Sequence, residues 1–255
     1  MLFSKRLLSP RRSGITIVSG CDRIRFKSFV NHKLFADVNG ANYVWSFMLR
    51  REGMNPYLRK IEIIQAALGA DEWVFWLDDD AYFTDFSWRL IPYVERYAKF
   101  DLVICKSPVN QGAWTFVSSG QFFLKSTRRS AQFLEAVRNV KLDDVKKWWD
   151  QEKYGMYTNG DQDAMVYVLS TDSRFREGDF FTRLEYTEFN SREFHYSQSP
   201  NEHRLLHLAS STKTKEQLLS EFRDRFELNE FLIPPEHLEG IDITSYSNLN
   251  LALPG

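Results

Sequence analysis

The feature that most constrains the fold is the alternation of short apolar runs with amphipathic segments in the first 80 residues. Three runs have the β-branched and aromatic content of strands: GITIVSG (14–20), NYVWSF (42–47) and EWVFWL (72–77). Between them, residues 25–40 and 57–69 space their apolar side chains like one helical face, and each segment ends on a glycine. This β-α-β-α-β order predicts a parallel sheet with right-handed crossovers, which binds ligands at the carboxyl ends of its strands.

The rest of the chain continues with strand and helix patterns of the same kind. Strands are predicted at 101–106, 120–125 and 204–210, and helices at 85–100 (despite Pro92), 127–140, 161–170 and 213–228. Residues 174–203 are rich in aromatic side chains but have poor periodicity, so short strands and loops are predicted there. We therefore predict one α/β domain over residues 1–255, with a mostly parallel central sheet flanked by helices, a basic tail at 1–13 and a surface-wrapping tail at 233–255.

Composition and charge limit the classes of partner. The 33 basic and 34 acidic side chains nearly cancel, so no overall field would recruit nucleic acid. No run approaches the roughly 18 apolar residues that span a bilayer, although the basic N-terminus could touch a membrane surface. The two cysteines, Cys21 and Cys105, are isolated in sequence, which is typical of buried thiols in a reducing compartment. A cytoplasmic location is therefore expected.

The third apolar run stops on three consecutive acids, Asp78, Asp79 and Asp80. In a continuous strand, Asp78 and Asp80 would share one face while Asp79 points away. Two carboxylates held close in a partly dry site repel each other unless a cation lies between them. Hard divalent cations such as Mg²⁺ or Mn²⁺ prefer oxygen ligands and keep positions open for water and phosphate. The pattern indicates a metal site for a diphosphate.

Other interpretations of the acidic triplet remain open at this point. A solvated acidic loop after a strand would have the same sequence. A phosphatase motif of the type hhhhDxDx[TV] also places aspartates at a strand end, but Tyr82 stands where that motif has Thr or Val.

His207 is the best candidate for a further metal ligand, because it lies in the apolar run RLLHLAS. Taken alone, a histidine in such a run is more often a hydrogen-bonded core residue than a metal ligand. The other four histidines have polar neighbours in sequence and are expected at the surface: His32, His195, His203 and His237.

Six segments in order resemble glycosyltransferase family 34, the galactosyl- and xylosyltransferase group with a GT-A fold. Residues 31–45 are similar to the family's "NK..YA..HGY" segment, residues 57–68 to its "W.KI" helix, and WVFWLDDDAYFTD to "WIWWLDADALI.N". Residues 118–137 resemble "N.G.FLIRNS.WS..FL". GDQDAMVYVL (160–169) resembles "E.DQ.A...LL", and LLHLAS resembles "VHFAG".

The resemblance implies a GT-A-type fold and a retaining transferase for a nucleotide-diphosphate sugar, of the UDP-galactose or UDP-xylose type. It implies Mn²⁺ (or Mg²⁺) held by Asp78, Asp80 and His207, and a saccharide or other hydroxyl acceptor. The residues it places at the reacting sugar are Asp161, Gln162 and Asp163. Those it places toward the donor or acceptor are Ser19, Gly20, Lys33, Lys60, Asp79, Ser119, Gly120 and Gln121, with the role of Asp79 left open.

Several features limit what the resemblance implies. Lys125, Ser118 and Ser210 replace an arginine, an asparagine and a glycine of the family pattern, so the identity of the sugar stays open. Capping of the predicted helix at 161–170 would by itself explain one of its two acids. The membrane anchor and stem of the family are not found, which suits a cytoplasmic form. A metal-dependent phosphohydrolase and a non-catalytic sugar-nucleotide-binding module remain the alternatives.

Overall fold

The computed structural model describes residues 13–47, 56–209 and 213–239. Strand β1 (Ile15–Cys21), helix α1 (Ser28–Val38), strand β2 (Asn42–Phe47), helix α2 (Pro56–Ala67) and strand β3 (Trp73–Asp78) follow in the predicted order. Residues 1–12 of the predicted basic tail and residues 240–255 of the predicted C-terminal tail lie outside the described residues. Within residues 233–239, Ile233 is fully buried, so this part of the tail packs into the protein.

The second half adds short strands between helices. It contains β4 (Ala81–Phe83), α3 (Leu90–Arg96), β5 (Leu102–Cys105), β6 (Gln121–Lys125), α4 (Arg128–Asn139), α5 (Leu142–Trp148), α6 (Gln151–Tyr154), α7 (Asp161–Thr171), β7 (Phe181–Leu184), β8 (Leu205–His207) and α8 (Lys215–Arg225). The helix predicted at 85–100 is only seven residues long, with Pro92 in its first turn, where a missing N–H costs little. Helices α5 and α6 and strand β4 were not predicted.

The main sheet has the strand order β2-β1-β3-β6-β5-β7 in the described residues. Strands β1, β2 and β3 pair in parallel, as do β5 and β7, whereas β6 runs antiparallel to both of its neighbours. A second sheet pairs β4 with β8 antiparallel. The prediction of a mostly parallel α/β sheet is therefore confirmed.

The sheet is covered by apolar side chains on both faces. Along β3, Phe75 and Leu77 belong to the core on the α1 side, while Val74 and Trp76 belong to the core that contains side chains of α2, α4 and α7. All four are fully buried. Such two-sided burial explains why β3 is a continuous apolar run rather than an alternating one.

The burial of three histidines corrects one prediction, and the burial of both cysteines confirms another. His32, His195 and His203 are buried, so the expectation of surface histidines was wrong for these three. Tertiary contacts outweighed the polar sequence neighbours; for example, the His32 Nε2 atom lies 2.8 Å from the Ala81 carbonyl oxygen. Both cysteines are buried free thiols, as predicted.

No helix in the described residues has the length and apolar character needed to cross a membrane.

Candidate active site

A cavity of about 730 Å³ opens where the carboxyl ends of β1 and β3 lie side by side. The register pairs Gly20 with Asp78 across these strand ends. The loop after β1, the first turn of α2, the turn after β3, the start of α7 and the first residue of α8 line the cavity. The sheet topology thus collects side chains from distant parts of the sequence at one edge, as a parallel sheet predicts.

The acidic triplet forms a turn and not a strand end with alternating faces. Strand β3 ends at Asp78, residues 79 and 80 form the turn, and β4 begins at Ala81. The explanation from strand alternation was therefore wrong, although its conclusion about Asp78 and Asp80 survives. Pairing of Ala81 with His207 in the second sheet brings the histidine beside the turn.

Asp78, Asp80 and His207 each offer one potential ligand atom, and these atoms lie within 4.8 Å of one another. Asp80 is buried, and no hydrogen-bond donor in the described residues reaches its Oδ1 atom. The His207 Nε2 atom lies 3.4 Å from that oxygen. Because a buried carboxylate oxygen without a donor is costly, two carboxylates and an imidazole here fit a divalent cation.

The charges of this group are set by its neighbours. Burial would raise the pKa of Asp80, but the His207 ring in its protonated form and the Lys215 ammonium group, which contacts Oδ2, more than offset this and lower it. Burial and the charge of Arg192 in turn lower the pKa of His207, which favours the neutral imidazole over the protonated one. A carboxylate beside a neutral imidazole is the protonation state that a metal requires.

Lys60 forms the second part of the site. Its Nζ atom lies 3.0 Å from Asp78 Oδ1 and 2.8 Å from Asp161 Oδ2, and it donates to the Ser119 carbonyl oxygen at 3.1 Å. Burial opposes its charge, but the two carboxylates outweigh burial and raise the pKa of Lys60. Lys60 therefore holds two acidic side chains of the cavity together, rather than projecting freely toward a nucleotide.

The two acids of α7 have different environments. Asp161 lines the cavity, whereas Asp163 is fully buried and is not among the lining residues. One oxygen of Asp163 accepts hydrogen bonds from the backbone N–H groups of Thr158 and Gly160 and from the Thr158 hydroxyl group. Asp163 thus accepts hydrogen bonds from backbone N–H groups at the start of α7. This is the capping role that the sequence allowed for one of the two acids.

Gly120 and Gln162 each contact another part of the site: Gly120 lies against His207, and Gln162 bonds to Ser119. Gln162 lines the cavity and accepts a hydrogen bond from the Ser119 N–H group at 3.2 Å, which ties the loop before β6 to α7. A Cβ atom on Gly120 would lie 2.5 Å from the Cε1 atom of His207. The glycine therefore makes room for the histidine ring, which is a more specific reason for its presence than a contact with the donor.

Four residues of the implied donor set do not line the cavity: Ser19, Lys33, Gln121 and Gly120, which lies against the His207 ring. Lys33 lies on an exposed face of α1 and pairs with Asp37. The Ser19 hydroxyl group is 2.7 Å from the Tyr43 hydroxyl group on the neighbouring strand β2. Gln121 is fully buried beside Asn190. Gly20, Lys60, Asp79 and Ser119, by contrast, all line the cavity.

Asp79 lies in the cavity wall with its backbone fixed. Its carbonyl oxygen accepts a hydrogen bond from the Ser28 hydroxyl group at 2.7 Å. Burial and the charges of Asp80 and Asp78 raise the pKa of Asp79 to about 7. The middle acid of the triplet is thus harder to ionise than an ordinary aspartate and does not belong to the group of three ligand atoms.

Sequence reasoning missed several residues around the site. Lys215 is the first residue of α8, and Asn190 and Arg192 lie in the aromatic-rich segment that showed no periodicity. Asn190 contacts His207, and Arg192 donates to Asn190. No local sequence signal marks these residues, because only the sheet topology brings 190–192 beside β8.

Comparison with known proteins agrees with this geometry. A family model described as nucleotide-diphospho-sugar transferase matches residues 25–218. Glycosyltransferase 6 of Arabidopsis thaliana is 26% identical over 183 residues, which are 69% of this chain and 39% of that protein. Galactomannan galactosyltransferase 1 of Cyamopsis tetragonoloba is 26% identical over 182 residues, which are 66% and 41% of the two chains. The chain thus spans about two fifths of the length of these relatives.

Among solved structures, a glycosyltransferase involved in the glycosylation of the major capsid of PBCV-1 has the same fold. It superposes with a TM-score of 0.59 at 15% identity, covering 84% of this chain and 99% of that one. The GT-A-type α/β fold and the resemblance drawn from the sequence motifs are confirmed.

Proposed function

Because this chain belongs to the nucleotide-diphospho-sugar transferase family, we propose that it transfers a hexose or pentose from a nucleotide-diphosphate sugar to a hydroxyl group of a saccharide or other acceptor. The proposal includes dependence on a divalent cation, Mn²⁺ or Mg²⁺, and retention of configuration at the sugar carbon. The observation that carries it is the convergence of Asp78, Asp80 and His207 within 4.8 Å beside a buried carboxylate oxygen without a donor.

The residues of the cavity suit the two charges that develop in such a transfer. A divalent cation, when bound, offsets the negative charge that grows on the departing diphosphate. Asp78, Asp80 and His207 would hold that cation. Asp161, a buried carboxylate facing the cavity, would stabilise positive charge on the sugar ring, by the same electrostatics that glycosidases use.

Lys60 and Gln162 would keep this carboxylate in place. Lys60 fixes Asp161 Oδ2 at 2.8 Å, while Gln162 ties the neighbouring loop through Ser119. Positioning of this kind contributes to the rate of sugar transfer, because a catalytic group that is held out of place loses the rate advantage of correct orientation. UDP-galactose and UDP-xylose are the donors of the type that the family resemblance favours.

The test compares two adjacent substitutions of the acidic turn. Asp80→Asn should abolish release of UDP from the donor sugar and Mn²⁺-dependent nucleotide binding, because it removes one of the three potential ligands. Asp79→Asn should be milder, since Asp79 is not one of them. Turnover of UDP-galactose and UDP-xylose is measured with an acceptor, with Mn²⁺ and after chelation. Equal tolerance of both substitutions would refute the metal assignment.

The same assay separates the alternatives. Release of inorganic phosphate without acceptor would indicate a phosphohydrolase. Tight UDP binding with no turnover over long incubation would indicate a binding module.

A further inference from the structure

Asn190 lies behind the proposed metal site and contacts its histidine. The Asn190 Oδ1 atom is 3.1 Å from the Nδ1 atom of His207, on the side of the ring opposite to the Nε2 atom that faces Asp80. Asn190 is fully buried, and His207 is 9% exposed. A buried polar side chain in such a place is held by hydrogen bonds, so its orientation can be worked out from its other partners.

The orientation of the Asn190 amide is fixed by two independent contacts, and its Oδ1 atom is also contacted by the Nε2 atom of Gln121. The Nη1 atom of Arg192 lies 2.9 Å from Oδ1, and a guanidinium group can only donate, so the atom facing it must be the amide oxygen. The Nδ2 atom donates to the carbonyl oxygen of Lys106 at 2.9 Å, which accepts only. A flipped amide would face a donor with a donor and an acceptor with an acceptor.

This orientation determines where His207 carries its proton. Because Oδ1 is an acceptor, the His207 Nδ1 atom must carry the hydrogen, and in a neutral ring the Nε2 atom then keeps its lone pair. That lone pair faces Asp80 Oδ1 at 3.4 Å, a distance longer than an ordinary hydrogen bond, and this oxygen has no donor among the described residues. Two lone pairs facing each other are stabilised by a cation between them.

Close packing against the backbone at Gly120 keeps the His207 ring from turning away. A Cβ atom on Gly120 would lie 2.5 Å from Cε1 and 3.0 Å from Nε2 of His207. The ring therefore lies directly against this backbone and is hydrogen-bonded through Nδ1 to Asn190. Rotation of the His207 ring would break its contact with Asn190 or bring the ring into the backbone at Gly120.

We propose that Asn190, held by Arg192 and the Lys106 carbonyl group, is a positioning residue that selects the Nδ1–H tautomer of His207 and presents Nε2 for metal binding. The proposal rests on the proposed function in that His207 is taken as a metal ligand. Partners of this kind behind a ligating histidine typically change metal affinity by about 10–100-fold when removed.

The first experiment reads the tautomer directly and needs no substitution. Long-range ¹H–¹⁵N correlation spectra of the metal-free protein should show His207 as the Nδ1–H tautomer, assigned by comparison with His207→Gln. Finding the proton on Nε2, or a doubly protonated ring at neutral pH, would overturn the proposal whether or not the protein is a transferase.

The second experiment measures Mn²⁺ affinity by titration calorimetry. Asn190→Leu removes the acceptor and should raise the Mn²⁺ dissociation constant about 10–100-fold. Asn190→Asp keeps an acceptor for the ring and should retain most of the affinity. Ser191→Ala is the control, because Ser191 is equally buried but bonds to His203 through its side chain.

The outcomes distinguish the two proposals. Wild-type affinity in a folded Asn190→Leu protein would overturn the role of Asn190 and leave the metal-dependent transferase standing. Absence of Mn²⁺ binding in the wild-type protein would refute the metal site itself, while the tautomer spectrum would still test the role of Asn190 in orienting the ring. Should Asn190→Leu fail to fold, the tautomer spectrum of the wild-type protein decides.

Discussion

Replacement of Lys60 by methionine should destabilise the protein strongly, although Lys60 is a charged residue on a helix. Its side chain is 8% exposed, and its ammonium group lies 2.8 Å from one oxygen of Asp161 and 3.0 Å from one of Asp78. With an effective dielectric constant of about 20, these contacts correspond to roughly 6 and 5.5 kcal/mol of attraction before desolvation is subtracted. Lys60→Met would leave the buried Asp161 and the partly buried Asp78 without their cation.

The net loss is smaller than the attraction because burying the charges is itself costly. Breaking a buried pair by removing one partner typically costs about 3–5 kcal/mol. For a chain of this size, that lowers the melting temperature by roughly 6–20 °C. Urea and thermal denaturation in the presence of a chelator would measure it, with methionine chosen because it keeps the length of the side chain.

Lys33→Met is the matched control for this experiment. Lys33 is also a helical lysine paired with an aspartate, but its side chain is 43% exposed, and such pairs contribute about 0.5 kcal/mol or less. The loss in Lys60→Met should also shrink as the pH falls toward 4, because burial raises the pKa of Asp78, which takes up a proton more readily without Lys60. A loss below about 1 kcal/mol, equal to that of the control, would refute the view that Lys60 holds the site together.

Three further predictions concern the neighbourhood of the acidic turn. Gly120→Ala should cost about 1–3 kcal/mol and weaken Mn²⁺ binding measured by calorimetry, because its Cβ atom would lie 2.5 Å from the His207 ring; unchanged affinity would contradict this. Lys215→Met should strengthen Mn²⁺ binding without nucleotide by roughly two- to fivefold, since Lys215 competes for Asp80, and weaker binding would contradict it. Burial lowers the pKa of His32 to about 4, so the folded protein binds this proton less tightly than the unfolded chain, and stability is lost as the pH falls from 6.5 to 4. In His32→Gln, urea denaturation should show that the free energy of unfolding falls by about 3 kcal/mol less between pH 6.5 and 4 than in the wild-type protein. An unchanged pH dependence would refute the lowered pKa of His32.

The order of strands and helices was predictable because it is written in local patterns. The three apolar runs and the two amphipathic segments of the first 80 residues each became the expected element, with bounds within three residues of those predicted. What local patterns could not supply was the turn at residues 79 and 80. A run of aspartates has no periodicity, and only the pairing of β4 with β8 shows that the strand has already ended at Asp78.

The site was predictable in part for the same reason. Asp78 and Asp80 were found because acids at the end of a buried run are unusual, and His207 because it interrupts another such run. Asn190 gave no signal of this kind, since an asparagine in an irregular segment is ordinary. Its role depends on Arg192, Lys106 and His207, which meet only through long-range packing.

The two lysines of the site explain why the three aspartates are not equivalent. Lys60 is buried and shared between Asp78 and Asp161, so its removal would leave the buried Asp161 and the partly buried Asp78 without a cation. Lys215 is 44% exposed and contacts Asp80 from the first turn of α8, so it can exchange that contact for water at little cost. Asp78 is therefore held by a fixed cation, whereas Asp80 has an exchangeable one. Asp79 has neither contact, and burial with like charges raises its pKa to about 7. We therefore expect a divalent cation that binds at this turn to displace Lys215 and not Lys60, and to contact Asp80 in place of the lysine.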